Sequence, residues 1–146
     1  MLPIYGEYKI SLDSKGRLLL PADYCKQLAA EERSKFYVKS SKDGCVVLYT
    51  MSQWAKIDEE LSKLSMLRSD AARYKRAFLD GVRLIEVDTA NRILIPKHVQ
   101  EAAGFVKEII FWAIGSNVEI WDISRKEAFV AKAQEDMEDL EDKIFG

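Results

Sequence analysis

Two stretches of the chain, DSKGRLLLP at 13–21 and DTANRILIP at 88–96, write one pattern 75 positions apart: Asp, three residues, Arg, three apolar residues, Pro. With residue 8 set on residue 83, YKISLDSKGRLLLPADY overlies RLIEVDTANRILIPKHV without a gap, pairing Ile10 with Ile85, Leu12 with Val87, Asp13 with Asp88, Arg17 with Arg92, Leu19 with Leu94 and Pro21 with Pro96. Further on, with three fewer residues in the second copy, VVLYTMS at 46–52 overlies VEIWDIS at 118–124. The chain is therefore an internal duplication, and each unit needs its twin to bury the apolar face it cannot cover alone.

Each copy reads as the same series of elements. A strand with alternating apolar residues (Tyr8, Ile10, Leu12; Ile85, Val87) enters a tight turn, and a continuous apolar strand (18–20; 93–95) leaves it. The turn has a chemical reason: Asp13 or Asp88 bonds the backbone two residues on, and Gly16 or Asn91 is the residue type that tolerates positive φ. Pro21 and Pro96 suit the first turn of a short helix, over about 22–30 and 97–103, the second closed by Gly104. A hairpin follows in each copy, turning at Lys42-Asp43-Gly44 and at Gly115-Ser116-Asn117. Helices then start at Ser52 and at Ser124, where Glu127 completes a capping-box pattern. Apolar stripes run along Trp54, Ile57, Leu61 and Leu64, and along Phe129, Ala133, Met137, Leu140 and Ile144; a further helix at about 69–80 bridges the copies.

The expected organisation is one α+β domain over 1–146: a first repeat at 5–52, connecting helices at 53–81, a second repeat at 82–124 and an acidic amphipathic helix at 125–146. Two such units are expected to interleave into a small β-barrel with peripheral helices. Trp112 and Trp121 are candidates to face other subunits.

Charge and composition narrow the function. With 48% apolar and 32% charged residues the chain is of globular type. No apolar run approaches the roughly 20 residues that span a bilayer, and MLPIYGEYKI lacks a signal-peptide pattern, so a cytoplasmic location without a membrane partner is expected. The formal net charge of −2 is unevenly spread: residues 133–146 hold six acids and one lysine, leaving 21 basic against 18 acidic residues before them. A local basic face is thus compatible with the total. Cys25 and Cys45 read as buried thiols, and the lone His98 has no ligand partners at metal spacing. No nucleophile with its base and no glycine-rich phosphate loop is present, so neither an enzyme, a cofactor nor a small-molecule substrate is expected.

The doubled D-x-x-x-R motif, the Pro four residues after each Arg, and EIWD at 119–122 resemble the MraZ family, over about residues 5–143. That family lies within the wider AbrB and MazE group of swapped-hairpin, double-split barrel DNA-binding folds. The resemblance implies a sequence-specific transcriptional regulator, generally a repressor of the division and cell-wall operon in which its own gene lies. It implies ring-shaped homo-oligomers, association with the nucleoid, and binding of short repeated elements in double-stranded promoter DNA. It also places the DNA-contacting arginine on Arg17, with Arg92 as its counterpart.

The residues themselves support that chemistry. An arginine fork matches guanine O6 and N7 or a phosphate. Lys9 and Lys15 are phosphate candidates beside Arg17, whereas the second copy has Leu84, Glu86 and Ala90 around Arg92 where the first has Lys9, Ser11 and Lys15. The first turn is therefore expected to dominate DNA binding. Asp13, Gly16, Asp88 and Asn91 are expected to stabilise the turns, and the basic cluster Arg68, Arg73, Lys75 and Arg76 to be a solvated helix face or subunit contact. The alternative is an antitoxin-like or other protein-interaction module on the same fold.

Overall fold

The computed structural model describes residues 2–146. Its elements follow the duplication. The first copy contributes β1 (Ile4–Ser11), β2 (Arg17–Leu19), α1 (Ala22–Gln27), a 3-10 turn (Ala30–Glu32), β3 (Lys35–Ser40) and β4 (Val46–Thr50). Two helices connect the copies, α2 (Met51–Ser62) and α3 (Ser69–Leu79). The second copy repeats the series with β5 (Arg83–Glu86), β6 (Arg92–Leu94), α4 (Lys97–Ala102), β7 (Glu108–Gly115) and β8 (Val118–Asp122), and α5 (Ile123–Glu135) and α6 (Met137–Phe145) end the chain.

The copies exchange strands. One antiparallel sheet has the order β1-β7-β8-β4-β3-β5, so the first strand of each copy pairs with the third strand of the other, and β4 meets β8 at the centre. The short strands β2 and β6 pair with each other as a separate two-stranded ribbon. Both layers close on one core, in which Leu18, Leu20, Ile93 and Ile95 of the ribbon segments pack with Phe36, Val38, Leu48, Ile109, Phe111 and Ile120 of the sheet.

The architecture is α+β as expected, and among the described residues the sheet does not close into a barrel. β1 and β5 remain the sheet's two edges, because after each edge strand the Asp turn sends the chain out of the sheet and into the ribbon.

Several local expectations are also corrected. Thr50, not Ser52, caps α2, with Thr50 and Gln53 forming a reciprocal capping box, while the Ser52 hydroxyl donates to Glu32. Asp122, not Ser124, caps α5 by accepting from the Arg125 N–H. In both copies the last strand runs straight into the helix, so the cap falls on the strand's final residue. The acidic C-terminal segment is two helices rather than one, broken at Asp136. Trp121 is buried and packs against Phe129 of α5 at 4.9 Å, so it does not face outward. Cys25 and Cys45 are both buried thiols, and burial pushes Cys45 up to about 12. Among the described residues no helix is long and apolar enough to cross a membrane.

Candidate nucleic-acid interface

The two D-x-x-x-R turns adopt one geometry. Asp13 Oδ1 accepts from the N–H groups of Lys15 and Arg17, each at 2.9 Å, and Oδ2 accepts from Arg17 Nε at 2.8 Å. In the second copy Asp88 Oδ1 accepts from Ala90 and Arg92 at 2.9 Å, and Oδ2 from Arg92 Nε at 3.1 Å. Gly16 (φ 78°) and Asn91 (φ 62°) both sit in the left-handed region, where glycine and asparagine are best tolerated. The backbone hydrogen bond from Arg17, joined by the guanidinium and the Lys15 N–H, holds the Asp13 carboxyl below the ordinary aspartate range. Asp88 is lowered in the same way, first by the Arg92 N–H. Each aspartate thus fixes a turn through its backbone donors and aims an arginine through Nε.

The turns support each other across the duplication. Gln100 of α4 donates to the carbonyl of Gly16 at 3.1 Å, and the equivalent residue of α1, Cys25, lies 3.9 Å from the Asn91 amide nitrogen. Leu20 N–H donates to the Asn91 carbonyl at 3.0 Å.

Ribbon register then sets what faces outward. Arg17 lies opposite Leu94, Leu18 opposite Ile93, and Leu19 opposite Arg92. Leu18 and Ile93 are buried, so the alternation of strand side chains puts Arg17, Leu19, Arg92 and Leu94 together on the other face. Both arginines are DNA-contact candidates from the sequence, which does not single out Leu19, Leu94 or Gln100. The two leucines read as part of the buried strand run, and only the cross-copy register reveals that they point out.

The remaining candidates are more dispersed. Lys15 is exposed in the first turn; Lys9 is exposed on β1, opposite Ile110 of β7. Arg92 is the more constrained arginine, since its Nη1 also comes within 3.8 Å of Asp13 Oδ2, whereas among the described residues Arg17 is paired with Asp13 alone. Arg68 is exposed and paired with Asp70 at the start of α3. Among the described residues no cluster of three or more His, Cys, Asp or Glu is arranged to hold a metal.

A strand-exchanged duplication with two aspartate-oriented arginines on one ribbon can be set against known proteins. The family described as "MraZ protein, putative antitoxin-like" matches residues 4–77 and again residues 78–146. The chain belongs to the MraZ family. Similar proteins include three named transcriptional regulator MraZ. That of Caldanaerobacter subterraneus subsp. tengcongensis is 37% identical, covering 81% of this chain and 80% of the relative. That of Heliobacterium modesticaldum is 34% identical over 96% and 95%, and that of Christiangramia forsetii 33% identical over 100% and 95%.

Proposed function

We propose that this chain is a sequence-specific DNA-binding transcriptional regulator, without enzymatic activity, that represses a cluster of division and cell-wall genes including its own. The observation that carries the reading is the ribbon: two arginines from two copies lie on one outward face, each oriented by its own aspartate. A two-stranded ribbon fits the major groove, and an arginine fork reads guanine there. The names of the relatives support a regulatory role.

In this reading Arg17 is the principal base reader, Lys9 and Lys15 hold phosphates, and Arg92 contributes less. Asp13, Gly16, Asp88 and Asn91 stabilise the turns. The repeats at 5–52 and 82–124 are the two halves of a swapped-hairpin unit, with 53–81 and 125–146 as appended helices.

A single unit makes few contacts, so operator-level affinity requires several units acting together. Assembly into a closed ring of copies supplies them. Large apolar side chains exposed on the free chain, among them Tyr5, Leu67, Ile144 and Phe145, support such association. The repeated promoter elements are then about one helical turn, near 10 base pairs, apart, and the protein is cytoplasmic and nucleoid-associated. An antitoxin-like role is the second reading, favoured by the family's description.

Footprinting on the DNA immediately upstream of this chain's gene tests the proposal. Protected elements recurring at about 10 base pairs are expected; uniform protection of unrelated DNA at the same concentrations would contradict it.

A further inference from the structure

The outward ribbon face carries two leucines as well as two arginines, and nothing in the fold accounts for them. Leu19 is 56% exposed and Leu94 53% exposed, although each lies between well-packed neighbours. The duplication makes this informative. Exposed positions around the turns drift between the copies: Lys9 becomes Leu84, Ser11 becomes Glu86, and Lys15 becomes Ala90. The outward ribbon positions do not, since Arg17 and Arg92 match and Leu19 and Leu94 match. Even the buried residue between them changes, from Leu18 to Ile93.

The register fixes the layout. Arg17 faces Leu94 on one rung and Leu19 faces Arg92 two residues along, so arginines occupy one diagonal of the face and leucines the other. Neighbouring strands are about 4.8 Å apart and residues two apart on a strand about 7 Å, so the face is a rectangle of about those dimensions. Along DNA, about 7 Å corresponds to two base-pair steps at roughly 3.4 Å each. In the major groove the one apolar feature of a base edge is the thymine 5-methyl group.

We infer that Leu19 and Leu94 are specificity residues that contact thymine methyl groups, so that each unit reads guanine through its arginines and thymine through its leucines within about two base pairs. This rests on the DNA-binding reading above and adds a second readable base to it.

The test compares two forms of the duplex from upstream of the gene, one natural and one with every thymine replaced by deoxyuridine, which removes only the 5-methyl groups. Binding of the wild type to the natural duplex over a scrambled one checks the underlying reading separately. Given that selectivity, the wild type is expected to bind the deoxyuridine duplex about fourfold more weakly for each methyl contacted. The variant combining Leu19→Ala and Leu94→Ala should be weakened on the natural duplex and indifferent to the replacement, whereas Leu19→Met with Leu94→Met should keep the discrimination. Both pairs alter exposed side chains, and circular dichroism verifies folding.

Equal binding of both duplexes by the wild type would overturn the inference. So would an alanine pair that loses assembled mass in sedimentation yet still discriminates thymine from deoxyuridine; the leucines would then belong to a contact between copies.

Discussion

Arg17 and Arg92 occupy equivalent positions but unequal surroundings. Arg17 has exposed Lys15 in its own turn, while Arg92 has Ala90 there and a second carboxylate, Asp13, within 3.8 Å. Arg17→Ala should therefore weaken binding to the upstream duplex by at least about tenfold, the low end of one lost bidentate contact being about fivefold and assembly multiplying it. Arg92→Ala should cost less; equal losses in a titration of both variants would remove the asymmetry. The aspartates carry a pH signature. Their folded carboxyls titrate below the ordinary aspartate range, so the stability they add is complete above about pH 4 and is lost as pH falls through the folded values. Asp13→Asn should be less stable than wild type in urea at pH 7, and the gap should close below pH 4; a gap independent of pH would mean that charge is not what holds the turn. Gly16→Ala puts a side chain at φ 78°, with Gln100 side-chain atoms 3.1 Å from the new carbon. A loss of about 1–2 kcal/mol is expected in denaturant melts, whereas Asn91→Gly is expected to be tolerated.

At the scale of elements, the ribbon depends on two side chains beneath it. Leu18 and Ile93 are each 1% exposed and paired across the ribbon, so truncating either to alanine should cost about 2–5 kcal/mol in urea unfolding, with both copies responding alike. The ribbon also shows what the sequence could and could not reveal. Both Asp turns, both short helices and both hairpins were readable, because Asp, Gly, Asn and Pro act on the backbone locally, wherever the rest of the chain goes. Strand exchange was readable only as a need for mutual burial: the pairing of β1 with β7 and β5 with β3 joins residues 45 to 111 positions apart, and no local signal encodes that register. Whether the sheet's edges close was hidden for the same reason, since that is decided by where the turns send the chain. The helix caps were misplaced because Ser52 and Ser124 are good cap residues, but β4 and β8 lead into α2 and α5 without a loop, leaving Thr50 and Asp122 at the junctions. The outward leucines were hidden because LLL and ILI read as buried runs until the ribbon's two faces are known.

Over the whole molecule, charge is separated. Removing residues 136–146 takes away five acids and one lysine, leaving 21 basic against 19 acidic residues and reversing the formal net charge of −2. Because α6 (Met137–Phe145) is exposed along its length and contributes nothing to the core shared by sheet and ribbon, the shortened chain should lose only that helix's share of the far-ultraviolet signal and keep the rest of the fold. It should also bind a scrambled duplex more tightly at low salt, with the gain vanishing as salt is raised. An unchanged scrambled-duplex affinity would show that the acidic helix does not restrain non-specific binding. Whether the doubled turn reads DNA is decided by fluorescence anisotropy on the duplex from immediately upstream of the gene and on its scrambled counterpart, for wild type and Arg17→Ala, at low and moderate salt. Selective, salt-weakened binding by the wild type that collapses in the variant is expected. Equal weak binding of both duplexes by both proteins would contradict it and leave the repeated Asp and Arg as supports of the fold.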